Sequence, residues 1–208
     1  MISYNQWLND WRFFCALCER FERTIQFVDD RINDDGSLTN GTTFSNEFCD
    51  ILLTTAAEFE NVAKQICKES DSRFNESNAT IIVYTKIILA KFPKIGQTII
   101  CSPVQTFRPL ENWKVSDNNN TTTVDGLDWW KAHNKVKHHR YPHFSEASFQ
   151  NCYYAIASLF VLELYAAYFV TNGNPIYQIS DSPCKYFSSE YLKDLILPHP
   201  KELPDFEK

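Results

Sequence analysis

The sequence predicts an all-α fold, a helical bundle around one long apolar helix, with a small extended or β excursion near residues 95–115. Long segments place apolar residues at helical spacing, and residues 152–170 are almost wholly apolar. Only five glycines occur in 208 residues, all between the periodic segments. Because 44% of the residues are hydrophobic, the chain can bury a large core. We expect one domain over residues 1–208, with about 175–208 as an irregular segment packed on the bundle.

The first predicted element is a long amphipathic helix over roughly residues 4–33. Its stripe is largely aromatic, and such rings pack more often against several helices of one domain than into the narrow seam of a coiled coil. We therefore favour a bundle over a coiled coil. A turn-rich loop follows at 33–43, and a second helix is expected over about 44–69. The stripe alternates four and three positions apart and comprises Trp7, Trp11, Phe14, Cys18, Phe21, Ile25, Val28 and Ile32.

The third predicted element covers residues 79–92, where strand and helix signals compete. Isoleucine, valine and tyrosine favour a strand, but the apolar residues also fit a helical period and Pro93 supplies a stop. We therefore expect a helix. Two prolines among β-favouring residues then predict an extended stretch or hairpin over 95–113, and a surface loop is expected at 118–123.

A short basic helix is predicted over about residues 129–140, with Asp128 as its cap and a break at Pro142. Its buried stripe comprises Trp129, Ala132 and Val136. Between Asp128 and Glu146 there is no acidic residue, although the whole chain has a net charge of −6. A site for an anionic partner is therefore expected here. The cationic and titratable residues of this segment are Lys131, His133, Lys135, Lys137, His138, His139, Arg140 and His143.

The next helix, capped by Ser145 and ending near Val170, is long and apolar enough to raise the question of a membrane span. Glu163 at its centre would be costly in lipid, and the amphipathic helices around it need an apolar surface to pack on. We therefore expect the buried centre of a soluble bundle without membrane contact. Glu163 would then need a partner, and a cation of the basic helix is one candidate.

Several function classes are disfavoured by the sequence. No Gly-rich phosphate loop or dinucleotide fingerprint occurs, which argues against an ordinary nucleotide-dependent enzyme. The first residues lack a signal-peptide pattern, and seven scattered cysteines suggest reduced, buried thiols in a cytoplasmic protein. His139 and His143 have metal-ligand spacing only if the helix continues through Pro142. We expect neither a metal nor a cofactor.

The basic helix carries groups suited to metal-independent RNA cleavage. On a helix, His133 and Lys137 lie one turn apart, with Arg140 a further turn along. Asn134 and His138 form an adjacent i,i+4 pair. An imidazole can exchange a proton near neutral pH, and cations can hold a phosphate and stabilise the charge that develops on it. The alternative interpretation of the same residues is a solvated basic helix without a site, whose histidines form only local hydrogen bonds.

The run WWKAHNKVKHHR, followed by an apolar helix, resembles the C-terminal half of HEPN-type helical domains. The upstream run SNEFCDILLTTAAEFENVAK is similar to a helix of an uncharacterised bacterial family that we associate with that group. The resemblance covers roughly residues 44–170. It implies an α-helical bundle, often dimeric, of a type common in toxin–antitoxin, abortive-infection and CRISPR-linked systems. Many such domains are metal-independent ribonucleases with an arginine, a polar residue, three further residues and a histidine.

Carried over by position, the resemblance places Asn134 at the polar position and His138 at the catalytic histidine. The arginine position is occupied by His133, which departs from the family's pattern. We expect His133 to act there as a third catalytic residue that stabilises charge on the phosphate. Lys131, Lys137 and Arg140 are the further expected substrate-binding residues. The resemblance implies RNA as a partner, an antitoxin or another protein as a further partner, and a homodimer with a shared cleft. The alternative is a non-enzymatic HEPN-like interaction or scaffold domain.

Overall fold

The computed structural model describes residues 2–118, 121–171, 184, 186 and 187. Within them the chain is mostly helical, with five α helices and two small antiparallel sheets of two strands each, which confirms the predicted helical class and its β excursion. The helices are α1 (Tyr4–Ile25), α2 (Asn46–Ser70), α3 (Ile81–Lys91), α4 (Asp128–His143) and α5 (Phe149–Thr171). The strands are β1 (Ile100–Cys101), β2 (Thr106–Phe107), β3 (Lys114–Asn118) and β4 (Thr121–Asp125).

Helix α1 ends at Ile25, so the prediction that it continues to residue 33 is wrong. Its first turn is capped by Ser3, whose hydroxyl accepts a hydrogen bond from the backbone N–H of Gln6 at 3.2 Å. Beyond Ile25, the carboxylate of Asp29 accepts the backbone N–H of Arg31 at 3.2 Å. Such local side-chain bonds compete with helix continuation. The apolar spacing nevertheless persists beyond the helix, because Val28 and Ile32 still pack against the core.

Helices α2 and α3 lie where the sequence predicts them. Ser45 caps α2, since its hydroxyl accepts the backbone N–H of Phe48 at 3.0 Å. Residues 79–92 contain the helix α3 rather than a strand. Helix α3 packs against α2, and its buried Thr85 accepts a hydrogen bond from the indole of Trp113 at 3.0 Å. This bond ties the segment after the first sheet to the helical core.

The extended excursion consists of two hairpins. Strands β1 and β2 pair with Ile100 opposite Phe107, and β3 and β4 pair over five positions from Lys114 opposite Asp125. The second hairpin occupies much of the expected loop at 118–123, so that prediction is wrong for the threonines of β4. The β-branched threonine and valine side chains of β4 favour a strand once a partner strand is available. The sequence stretch was too polar to indicate that pairing.

Helix α5 packs against α1, α2 and α4, and its longest contact is with α2. It begins after a 3₁₀ turn at Phe144–Glu146, and Ser148 caps it instead of the predicted Ser145, because the hydroxyl of Ser148 accepts the N–H of Asn151 at 3.3 Å. The stretch Phe149–Val170 could cross a membrane by length and composition, but 78% of its most apolar window is buried inside the fold. This burial is typical of the core helix of a soluble protein.

The predicted stop after Val170 and the proline-rich end lie outside the described residues. Of the segment expected to pack on the bundle, the structure describes Cys184, Tyr186 and Phe187. The rings of Tyr186 and Phe187 are buried, and both lie against Tyr153 of α5 with centroid distances of 6.4 and 5.7 Å. These two side chains therefore complete the aromatic core between α1 and α5.

Glu163 has no cationic partner among the described residues, contrary to the expectation that the basic helix supplies one. Its side chain is fully buried, and neither carboxylate oxygen makes a hydrogen bond within the described chain. Burial raises the pKa of Glu163 well above its usual range, and the nearby carboxyls of Asp10 and Glu58 act in the same direction. Burial without a partner therefore favours the neutral carboxylic acid over the carboxylate.

Candidate nucleic-acid interface

Helix α4 has one buried face and one solvent-facing face. The predicted stripe of Trp129, Ala132 and Val136 is buried, as are Trp130 and His133. The indole of Trp129 donates a hydrogen bond to the hydroxyl of Ser158 at 3.1 Å, which fixes α4 on α5. This contact sets the rotation of α4 about its axis and therefore which residues face solvent.

The helix is interrupted at His139, whose φ of −143° and ψ of 56° are not helical. Pro142 explains the position of this break. A proline has no backbone N–H to donate to the carbonyl four residues earlier, here that of His138, and its ring collides with that carbonyl. The break predicted at Pro142 therefore lies three residues earlier, at His139, and a final helical turn follows it.

The solvent-facing side of α4 forms a continuous polar and aromatic surface, which we call the α4 surface. All of the residues that form it are exposed to solvent, and Tyr141 is 99% exposed. Its members are Lys131, Lys135, Lys137, His138, His139, Arg140 and Tyr141.

Two of the four cations on the α4 surface are neutralised by carboxylates. Lys131 lies 3.0 Å from the carboxylate of Asp128, and Lys135 lies 2.5 Å from that of Glu146. Such exposed pairs contribute about 0–1 kcal/mol to stability and can exchange partners. The pairing leaves the amino-terminal half of the surface nearly neutral.

Lys137 and Arg140 have no carboxylate within ion-pair distance in the described part of the chain. Arg140 instead donates a hydrogen bond to the side-chain carbonyl of Asn46 at 3.3 Å. Its guanidinium also lies 5.3 Å from the centre of the Phe144 ring. These contacts orient Arg140 without neutralising it, so the positive charge of the surface is concentrated next to Tyr141.

His133 does not share this environment. Its ring is 5% exposed and lies 5.1 Å from the Trp130 ring, and its Nδ1 atom has no hydrogen-bond partner among the described residues. Burial, together with the smaller effect of the Lys137 charge, lowers the pKa of His133 to about 4. The imidazole is therefore neutral at pH 7 and does not supply the positive charge expected at this position.

His138 and Asn134 lie one helical turn apart at the border of the exposed face. His138 is exposed, whereas Asn134 is half-buried. Neither side chain makes a hydrogen bond to another described residue. The structure thus brings the two predicted residues together and leaves the His138 imidazole accessible to an external molecule.

A metal centre is not formed by these residues. No group of three or more histidine, cysteine, aspartate or glutamate side chains among the described residues is placed to hold a metal ion. His139 and His143 lie on either side of Pro142, with His139 at the kink itself. Among the described residues no disulfide forms, and five of the seven cysteines are buried, including Cys15 and Cys18.

Sequence reasoning missed Tyr141 of the α4 surface and the two residues that contact Arg140, Asn46 and Phe144. Tyr141 could have been recognised, since it follows an arginine and precedes the proline that ends the helix. Asn46 lies on α2, 94 residues from Arg140 in the chain, so no local spacing reveals its contact.

Compared with protein-family models, curated proteins and solved structures, the chain matches none of them. The HEPN-like resemblance therefore stays a prediction from the sequence.

Proposed function

We propose that this protein is a cytoplasmic, HEPN-like RNA-binding protein whose α4 surface holds single-stranded RNA, and that His138 serves as the proton-transfer group of a metal-independent cleavage. The observation that carries the proposal is the juxtaposition of Arg140, an unneutralised cation, with Tyr141, which is 99% exposed. Proteins that bind single strands combine cations for the phosphates with aromatic rings on which bases stack.

The cleavage chemistry assigns one task to each residue. His138, as the general base, removes the proton of a ribose 2′-hydroxyl, and the 2′-oxygen attacks the adjacent phosphorus. The bond from phosphorus to the 5′-oxygen breaks, a 2′,3′-cyclic phosphate forms, and solvent protonates the leaving oxygen. Lys137 and Arg140 stabilise the negative charge on the phosphate oxygens. Asn134 orients the imidazole or the phosphate.

His133 enters this proposal as a structural neighbour and not as a charged group. Its neutral, buried imidazole lies one turn before Lys137. The absence of a second positive group at this position favours a second candidate function, a non-enzymatic domain that binds RNA or an antitoxin-like protein through the α4 surface. In that case the same cations bind the partner and no bond is broken.

A cleavage assay with purified protein and fluorescent single-stranded RNAs separates the two candidates. We expect cleavage that survives a chelator and disappears in His138→Ala, while RNA binding by His138→Ala changes little. His143→Ala, a histidine of the same segment, serves as the matched control and should cleave normally. Binding without cleavage in the wild type would support the binding domain. No binding to any RNA would overturn RNA binding in both candidates and leave only a domain that binds a protein partner.

The proposal includes a homodimer in which the two His138 faces share one cleft. Two copies about a twofold axis would double the positive field at Arg140, and twofold contacts are the commonest oligomeric arrangement. Light scattering at micromolar concentration should give twice the 24.3 kDa of one chain. A monomeric mass would contradict the shared cleft and weaken the ribonuclease hypothesis, which takes its composite site from a dimeric family.

A further inference from the structure

A polar cleft lies at the amino-terminal end of α4. Its volume is about 490 Å³, within the roughly 300–1,000 Å³ of pockets that hold small ligands. Three separate segments form it: the chain that follows β2, the turn that precedes α4, and the first turns of α5. Its polar lining includes Arg108, Asn112, Asp128, Gln150, Asn151 and Tyr154.

The cleft presents polar groups that the fold leaves available. The side-chain amides of Asn112 and Gln150 and the hydroxyl of Tyr154 make no hydrogen bond to another described residue. Asn151 donates from its amide nitrogen to the carbonyl of Glu146 at 2.8 Å, which leaves its side-chain carbonyl oxygen to accept. Donors and acceptors therefore stand side by side in the cleft.

One wall of the cleft is aromatic. The ring of Tyr154 is half-buried and lies edge-on to Phe107, with centroids 5.5 Å apart and an interplanar angle of 86°. Aromatic faces stack planar heterocycles, and side-chain amides match the donor and acceptor pairs on the edges of nucleobases. This combination is suited to a flat ligand with hydrogen-bonding edges.

The charges of the cleft argue against an anion inside it. Arg108 is the single cation in the lining and lies 3.4 Å from the carboxylate of Glu111. Asp128 adds a second carboxylate, which is paired with Lys131 at 3.0 Å. A neutral group therefore fits inside, and a phosphate attached to that group would lie outside, toward the lysines of α4.

The cleft and the proposed catalytic histidine are joined by one face of α4. Asp128, Lys131, Lys135 and His138 follow a spacing of three, four and three residues, which places them on one side of the helix. Lys135 also reaches the cleft through Glu146, whose backbone carbonyl bonds to Asn151. At 1.5 Å per residue, the distance along α4 from the cleft to His138 is about 14 Å. That is about four stacked nucleotides at 3.4 Å each, and fewer extended ones.

We propose that this cleft is a nucleobase-binding subsite: it takes one unpaired base of a strand whose backbone follows Lys131 and Lys135 to His138. Base binding in the cleft stands on the lining residues alone, whereas the path to His138 rests on the proposed RNA-binding function. The cleft would give the protein a base preference at a fixed distance from the cleaved bond.

The test combines two measurements on the full chain. Fluorescence anisotropy with 12-nucleotide A, C, G and U homopolymers measures base preference for the wild type, Gln150→Ala and Asn112→Ala. Gln6→Ala, an exposed glutamine in the first turn of α1, is the matched control. In parallel, the side-chain NH₂ signals of Gln150 and Asn112 are followed by NMR of ¹⁵N-labelled protein during titration with each of the four nucleoside monophosphates.

We expect one homopolymer to bind at least about fivefold more tightly than the others. Both cleft variants should abolish that preference, while the control keeps it and the two NH₂ signals shift with the matching monophosphate. Tight RNA binding without base preference, and unmoved NH₂ signals, would overturn the subsite and leave the proposed function standing. Shifted NH₂ signals without RNA binding would overturn the proposed function and support a subsite for free nucleotides. If neither RNA nor monophosphate binds, both proposals are wrong.

Discussion

Helices α4 and α5 are adjacent in the chain, and each buries a titratable side chain whose polar atoms lack partners among the described residues. In α4 this is the Nδ1 atom of His133, and in α5 it is both oxygens of Glu163. Burial favours the neutral form of both groups in opposite directions, since it lowers the pKa of His133 and raises the pKa of Glu163. The fold thus excludes charge from both helix cores and confines it to the outer face of α4.

The largest contrast concerns packing. Phe160 of α5 is fully buried and stacks on Phe14 at 5.6 Å, with Trp11 at 6.1 Å. We expect Phe160→Ala to lower the free energy of unfolding by about 3–5 kcal/mol, because it removes a ring and leaves a cavity. Urea denaturation, monitored by circular dichroism, measures this change in the free energy of unfolding. Phe27→Ala, at an 82% exposed ring, is the control and should change stability by less than about 0.5 kcal/mol.

The second prediction concerns the loss of stability at acidic pH that buried His133 causes. Since the pKa of His133 is lowered to about 4 in the fold from 6.5, its contribution to stability is present above pH 6.5 and is lost as the pH falls toward 4. This loss amounts to up to about 3 kcal/mol. In His133→Phe, stability should depend less on pH over this window. Denaturation midpoints at pH 7.5, 6, 5 and 4.5 provide the measurement, and parallel curves for both proteins would contradict a buried neutral His133.

Glu163 should show the reverse dependence. Its raised pKa means that the cost of keeping the proton is absent near pH 4.5 and grows as the pH rises. We expect Glu163→Gln, which has the same shape and no proton to retain, to stabilise the fold at pH 7 by about 1–3 kcal/mol. The gain should vanish near pH 4.5. A constant gain at all pH values would show that packing, and not ionisation, is responsible.

The smallest effect on stability is expected at Tyr141. Its ring is 99% exposed, so Tyr141→Ala should change the free energy of unfolding by less than about 0.5 kcal/mol. Under the proposed function, the same variant loses about 1–3 kcal/mol of RNA-binding free energy, because a stacked base loses its platform. Tyr141→Phe should retain binding. Unchanged RNA affinity in Tyr141→Ala would remove the observation that carries the proposed function.

Helical periodicity was enough to predict α2 and α3 and the burial of Trp129, Ala132 and Val136. The same helical period places His133 on the side of α4 that carries Trp129 and Val136, so its burial was predictable from the sequence. We instead interpreted His133 as part of the charged surface, because its neighbours in the chain are basic. The end of α1 was not predictable from apolar spacing, because Val28 and Ile32 reach the core from a loop. The cleft could not be predicted from local sequence patterns, because Asn112, Asp128 and Gln150 are far apart in the sequence and come together only in the folded chain.

The break at His139 divides α4 into two stretches, and we expect the shorter one to open independently of the longer one. The final turn, residues 140–143, is held to the rest of the protein by the Arg140 contacts to Asn46 and Phe144, an exposed hydrogen bond and a cation–π contact. Each contributes about 0.5–1 kcal/mol, so this turn unfolds locally at a small fraction of the cost of global unfolding. Its amides should exchange with deuterium long before those of α5. A strand that binds Arg140 and Tyr141 would order this turn, and slower exchange there would report the binding.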